Sequence, residues 1–362
     1  MYASNTIDID DVTSVNLSGR WNWASLKMED QYGTALEGHH FFNEFNPGVG
    51  ITRKFGDISV YASYKESSRT PSVAELGCAD PAQPCRLPNS FQADPPLDQV
   101  KNRNMEMGAR GIKSYNLLGM NHNISWNASA YAGRNYNDII FIGGNRVGTG
   151  YFRNVGNTQR MGTEIGLSGK LGNKWSWYGN YSYVRASFET SQKISSPGHS
   201  ENPFEAEGSG TFASDAAATT DQQTGESAES YQIQVGPGDA IPGLSPHVSR
   251  IGIGYSPTEN FSMFVDTEYN SNQFYRGDEN NAQGQKVPGY FLLNASAEFK
   301  LPLKANTPFS TVFFLDGRNL LDTNFETGGI IAENEVEGTG GSGTFVTPGQ
   351  PLSIMGGMHI RW

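Results

Sequence analysis

Few residues in this chain have the type and spacing to do chemistry. Cys78 and Cys85 are the only cysteines, set in a proline-rich stretch, and the six histidines at 39, 40, 122, 199, 247 and 359 are scattered. A structural zinc site needs thiolates or imidazoles at ligand spacing, so the expected use of the two cysteines is a local disulfide in an oxidising compartment. Glu106 and Arg110 flank Gly108, and Arg160 and Glu164 flank Gly162. In an extended strand each pair shares one face. Such charges either line a polar path, where they meet a substrate or another domain, or close cross-strand salt bridges. Arg276, Asp278 and Glu279, with Asn280, are candidates for ligand contact from a loop. Their acids are consecutive and lack the spaced pattern of a calcium loop, so no metal site is assigned. No glycine-rich phosphate loop and no G-x-S-x-G elbow occurs. Hydrolysis would need His122 or His247 to activate a serine, and nothing marks that constellation. No catalytic residue and no cofactor is expected.

The elements that carry these residues read as strands. The chain has 362 residues, of which 36% are hydrophobic, 12% aromatic and 17% charged, with 43 glycines. That is too aromatic and too weakly charged for disorder, and no run approaches the ~18 apolar residues of a membrane helix. Ile124, Trp126, Ala128, Ala130 and Ala132 alternate with Ser125, Asn127 and Ser129; Phe291, Leu293, Ala295, Ala297 and Phe299 alternate with Leu292, Asn294, Ser296 and Glu298. A period of two with one apolar and one wet face marks a strand. About twelve such runs are read, near 12–23, 44–55, 58–66, 100–112, 122–134, 158–170, 174–188, 247–256, 260–275, 287–300, 309–319 and 352–362. Tyr2 to Ile7 reads as the stub of an earlier strand. Most runs reach the ~9 to 11 residues a tilted strand needs to cross a bilayer.

The connections alternate in length. Short turns are expected at Gly56-Asp57, Lys113 to Asn116, Leu171 to Asn173, Ser256 to Asn260 and Leu301 to Pro308, and long loops near 24–43, 67–99, 135–157, 189–246, 276–286 and 322–351. Short turns on one side and long loops on the other are the layout of a transmembrane β-barrel of the bacterial outer membrane. The fold class is therefore all-β, an antiparallel transmembrane barrel, with Trp21, Trp23, Trp175, Trp177, Tyr181 and Tyr183 as candidates for its interfacial girdles. Nine acids against Lys193 fall between Glu189 and Asp239, and five acids with no base between Asp322 and Pro351. These acidic loops either attract a cationic or metal-bearing ligand by their field or are merely solvated, and they exclude nucleic acid as a partner.

Several stretches resemble the barrel of TonB-dependent outer-membrane receptors. They are NVGNTQRMGTEIG at Asn154 to Gly166, GDAIPGL at Gly238 to Leu244 with Pro246 and His247, YRGDEN at Tyr275 to Asn280, VPGYFLLN at Val287 to Asn294, and GRNLLD at Gly317 to Asp322. SRTPSVAE at Ser68 to Glu75, running into CADPAQPCRLPN at Cys78 to Asn89, resembles an outer loop of one branch. The last run, with Met358, Ile360 and Trp362 on one face, resembles the signal read by the barrel-assembly machinery. The resemblance implies uptake of a scarce small-molecule nutrient, such as an iron chelate (siderophore) or cobalamin, with energy supplied through TonB. It also implies a secretion signal, a TonB box, a plug domain and a barrel of about 22 strands. None of the first three is visible, so residues 1–362 are expected to be the C-terminal part of such a barrel, in contact with outer-membrane lipid and meeting the TonB complex only through the missing plug. The alternative is a self-contained twelve-strand outer-membrane barrel acting as a pore or hydrolase.

Overall fold

The computed structural model describes residues 1–31, 33, 37–80, 85–86, 97–117, 119–143, 149–196, 198–200, 232–302, 309–334 and 341–361. Thirteen strands form one antiparallel sheet in chain order. They are β1 (Tyr2–Asp10), β2 (Thr13–Met28), β3 (Gly38–Phe55), β4 (Ile58–Arg69), β5 (Val100–Leu117), β6 (Met120–Tyr136), β7 (Thr158–Leu171), β8 (Trp175–Phe188), β9 (His247–Thr258), β10 (Phe261–Asn270), β11 (Tyr290–Lys300), β12 (Ser310–Arg318) and β13 (Ser353–Arg361).

The count of about twelve is corrected to thirteen, because Tyr2–Asp10 is a full strand, paired with β2 from Tyr2 opposite Arg20 to Asp10 opposite Thr13. The expected long loop at 24–43 is also largely ladder, with Trp23 opposite Asn43 and Met28 opposite Gly38. Leu26 and Met28 carry the strand on because they pack on a loop core of Leu76, Ala79 and Leu97. The turn expected at Lys113 to Asn116 lies beyond Leu117 instead, since Tyr115 pairs with His122 and their rings stack at 4.9 Å.

Register turns the period-two pattern into two unlike faces. Val60, Ala109, Ala128, Ile165 and Tyr181 stand opposite one another in a row across β4 to β8. One residue away, Ser59, Arg110, Asn127, Gly166, Asn180, Arg250 and Glu268 make a polar row that reaches β10. Aromatic side chains reach over glycines of the neighbouring strand on the polar face. A Cβ added to Gly108 would meet the Tyr61 ring at 2.7 Å, and one added to Gly162 would meet the Tyr131 hydroxyl at 2.7 Å. This pairing lets a large ring cover a bare backbone and accounts for part of the glycine content.

Short connections close one end of the sheet. At Gly56 the backbone takes φ +59°, a left-handed conformation that glycine adopts without steric cost, and the chain reverses in two residues. The long connections at the other end hold structure of their own. A short helix, Val73–Leu76, starts at a Ser72 cap. Cys85–Arg86, Thr149–Asn154 and Ile139–Gly143 form a three-stranded sheet, and hairpins join Gln192–Ser195 to Gln232–Val235, Gln273–Phe274 to Lys286–Val287 and Glu326–Asn334 to Gly341–Pro348. The buried apolar clusters sit mainly here: Ile142, Tyr151, Val155, Phe188, Ile194, Ile233 and Val235 make the largest. The sheet itself leaves its apolar side chains outside, with Met105, Met107, Ile251 and Ile354 all exposed by more than half.

Candidate functional site

The polar face of the sheet and the loops above it together make the candidate site. Glu106 accepts a hydrogen bond from the Tyr61 hydroxyl at 2.8 Å, and Arg110 stands opposite Ser59 and Asn127. Glu164 stands opposite Ser129 and Ser182. Arg160 reaches upward, with Nη1 3.1 Å from Asp138 Oδ2 and 3.2 Å from Thr158 Oγ1. The structure does not pair these four charges with one another. A cross-strand ion pair does form on this face between Arg250 and Glu268, directly opposite in register at 2.7 Å, and Asn270 donates to the same carboxylate at 3.0 Å. Its signal in the sequence was ordinary: two opposite charges in separate strands, whose register is set only when the strands pair.

Asp138 was not singled out by the sequence. It accepts from Thr158 Oγ1 at 2.6 Å and Asn135 Nδ2 at 3.1 Å as well as from Arg160. Burial alone would raise its carboxyl, but these bonds and the Arg160 charge outweigh it and hold the group below the usual carboxylate range. The node ties the loop after β6 to the start of β7. Its local clue is Asn137, a turn residue with φ +56° just before the apolar Ile139–Ile142 run.

Among the loop candidates, Arg276 is exposed and its backbone bonds Gly329 and Ile331 in a neighbouring hairpin. Asp278 turns inward and is fully buried, 3.3 Å from His199 Nε2, and accepts from the Gln283 N–H at 3.1 Å. Glu279 accepts from the Gly277 N–H at 3.0 Å, while its Oε2 has no partner. Burial pushes the Glu279 carboxyl up, and the neighbouring Asp278 adds to the shift against the pull of the Gly277 bond and His199. Asp278 therefore braces its loop against the one that carries His199, while the hydrogen bond of Glu279 stays within its own loop. Cys78 and Cys85 are joined in a disulfide with Cα atoms 5.6 Å apart, both buried. It lies beside the Ser72-capped helix, where Glu75 pairs with Arg69 at 2.7 Å.

His122 stacks on Tyr115, and His247 Nδ1 lies 2.8 Å from the Tyr181 hydroxyl, so the two histidines considered for hydrolysis contact aromatic side chains. Met358 and Ile360 are exposed on the apolar face of β13, opposite Phe313 and Thr311. Trp362 lies outside the described residues, as does the whole acidic stretch from Glu201 to Glu229.

Comparison with solved structures finds the same sheet. The copper transporter OprC matches with a TM-score of 0.63 at 14% identity, over 99% of this chain and 46% of that one. The ferric yersiniabactin uptake receptor FyuA from Yersinia pestis matches with a TM-score of 0.58 at 13% identity, over 99% and 44%. Fiu, the ferric-catecholate import receptor from K12 E. coli, matches with a TM-score of 0.57 at 15% identity, over 99% and 43%. The chain thus spans less than half the length of these proteins. No curated protein matches the sequence. The family model for the TonB dependent receptor-like beta-barrel matches residues 1–320, and with the thirteen-stranded antiparallel sheet this places the chain in the family of TonB-dependent receptor barrels.

Proposed function

We propose that this chain is part of the wall of an outer-membrane receptor that imports a small-molecule nutrient, such as an iron chelate, with energy delivered through TonB. The observation that carries the reading is the exposed apolar face that runs across all the wall strands, opposite a polar face and beneath long, packed loops. A soluble protein rarely leaves so much apolar surface bare, whereas a barrel presents it to lipid and keeps its polar face for a lumen. Residues 1–362 would form the C-terminal part of that wall, and a plug held by other residues would meet TonB. Assembly would proceed through the barrel-assembly machinery acting on β13.

The direction of the two edge strands favours a larger barrel over a self-contained one. β1 runs into a short turn and β13 runs down from a long loop, so both point toward the short-turn end. Direct closure would pair them in parallel, unlike every other pair in the sheet. Left open, each edge would present unpaired backbone groups to lipid, which is costly. The reading is tested by expressing the chain behind a signal peptide, alone and joined in frame to the N-terminal half of a related receptor. The fusion should restore TonB-dependent uptake of the relative's iron chelate, and the chain alone should give none. Energy-dependent uptake by the chain alone would refute the fragment reading.

A further inference from the structure

The wall is not continuous between β3 and β4. Their ladder runs from Phe55 opposite Ile58 up to Gly48 opposite Lys65 and stops. β3 nevertheless stays paired to β2 as far as Gly38, and β4 to β5 as far as Arg69. The next residue on β3 is Pro47, which has no N–H to give to a ladder. Above it the strands part, leaving a cleft of about 420 Å³ lined by Arg20, Asn22, Asn46, Lys65 and Ser68, among others. That volume lies within the roughly 300 to 1,000 Å³ of small-molecule sites.

The hydrogen bonds in this cleft leave donors over. Ser68 Oγ accepts from Asn22 Nδ2 and Asn46 Nδ2, each at 3.0 Å. Both lone pairs are used, so its own hydrogen is left to donate. Asn22 is held in that orientation because its Oδ1 accepts from Arg20 Nε at 2.7 Å. The one carboxylate on the rim, Glu66, is committed to Arg103 at 3.3 Å and to the Tyr64 hydroxyl. Among the described residues neither Arg20 nor Lys65 forms an ion pair. The cleft therefore presents two uncompensated cations and an oriented hydroxyl donor.

We propose that this cleft binds the carboxylate or phosphate group of a small anionic ligand, with Arg20 and Lys65 supplying charge and Ser68 a fixed hydrogen bond. The proposal deepens the transport reading and rests on it. Charge-assisted bonds of this kind are the strong ones, and Pro47 keeps the site open by denying the ladder its next bond.

The in-frame fusion described above, which supplies both edge strands with partners, is extracted in detergent and titrated calorimetrically with inorganic phosphate and with citrate. Saturable binding of at least one probe is expected, weakened about tenfold or more by Arg20→Gln or Lys65→Gln, as loss of a hydrogen bond to a charged group predicts. Ser68→Ala should weaken it severalfold and Ser68→Thr, which keeps the hydroxyl, should restore it. Lys170→Gln, at the opposite end of the wall, should change nothing. Absence of saturable binding in a fusion that migrates as a folded barrel, unchanged binding in Arg20→Gln and Lys65→Gln, or equal loss in Lys170→Gln, overturns the proposal. Heat-dependent migration on a gel reports barrel formation separately, so failure of the transport reading is distinguished from failure of the site.

Discussion

His199 Nε2 lies 3.3 Å from Asp278 Oδ1, with both side chains sealed from solvent, although the two residues are 79 positions apart. The contact fastens the loop after β8 to the loop after β10. Ser196 donates to the Gly277 carbonyl beside it, and Ser200 bonds Gln283 at 2.8 Å. Removing one partner of a buried hydrogen bond leaves the other unsatisfied, at a cost of about 1 to 3 kcal/mol. Asp278→Ala should therefore expose these two loops to protease while the wall strands stay protected, and cleavage sites mapped by mass spectrometry will check it. Uniform protection would show that the pair holds nothing.

The Cys78–Cys85 bond pins the loop between β4 and β5 beside the Leu76 core. Closing so short a loop removes unfolded-state entropy, by about 2 to 3 kcal/mol. Replacing both cysteines by serine should lower the unfolding temperature of that loop, followed by hydrogen exchange of Leu76 and Phe152. Protein taken from an oxidising compartment should show no thiol to alkylating reagents before reduction.

Lipid placement predicts unequal tolerance of charge on the two faces. Ala128→Arg, Ile165→Arg or Leu293→Arg should cost about 2 to 4 kcal/mol near the midplane and impair insertion. Ser129→Arg and Asn294→Arg, on the polar face, should be milder. Folding yields into lipid vesicles measure both sets, and equal yields would rule out the assignment of faces.

Asp138 and Glu279 should respond to acid in opposite ways. Asp138 titrates below its unfolded value, so its stabilisation is present above about pH 4 and is lost as pH falls further, through the lower folded value. Glu279 titrates above its unfolded value, so its contribution is fully present below about pH 4.3 and fades as pH rises toward the folded value. Asp138→Asn should weaken the loop after β6 at pH 7 and flatten its acid dependence. Glu279→Gln should strengthen the loop after β10 at pH 7. Loop-resolved hydrogen exchange across this range will show both signs, and the same sign for both would contradict the assignment.

If β13 carries the assembly signal, deleting Trp362 should leave more unfolded chain in the periplasm, and Met358→Asp or Ile360→Asp should do the same. Immunoblots of periplasmic and membrane fractions provide the measurement. Normal membrane levels of all three would remove β13 from that role.

Strand identity and the alternation of turns with loops were determined by the sequence alone, because both are local. A residue pair such as Ala128 and Ser129 declares two faces through the period of two, and a bilayer makes every wall strand repeat it. Gly56 likewise marks its turn without help from distant residues. What lay beyond the sequence depended on contacts between segments far apart in the chain. Leu26 and Met28 extend β2 because a loop core 48 to 71 residues later, at Leu76 and Leu97, gives them something to cover. Asp278 faces inward because His199 meets it there, and the loops that bring them together have no periodicity to read. The cleft beside Ser68 follows the same rule: Pro47 is visible in the sequence, but which ladder bond it removes is decided only when β3 finds its register on β4.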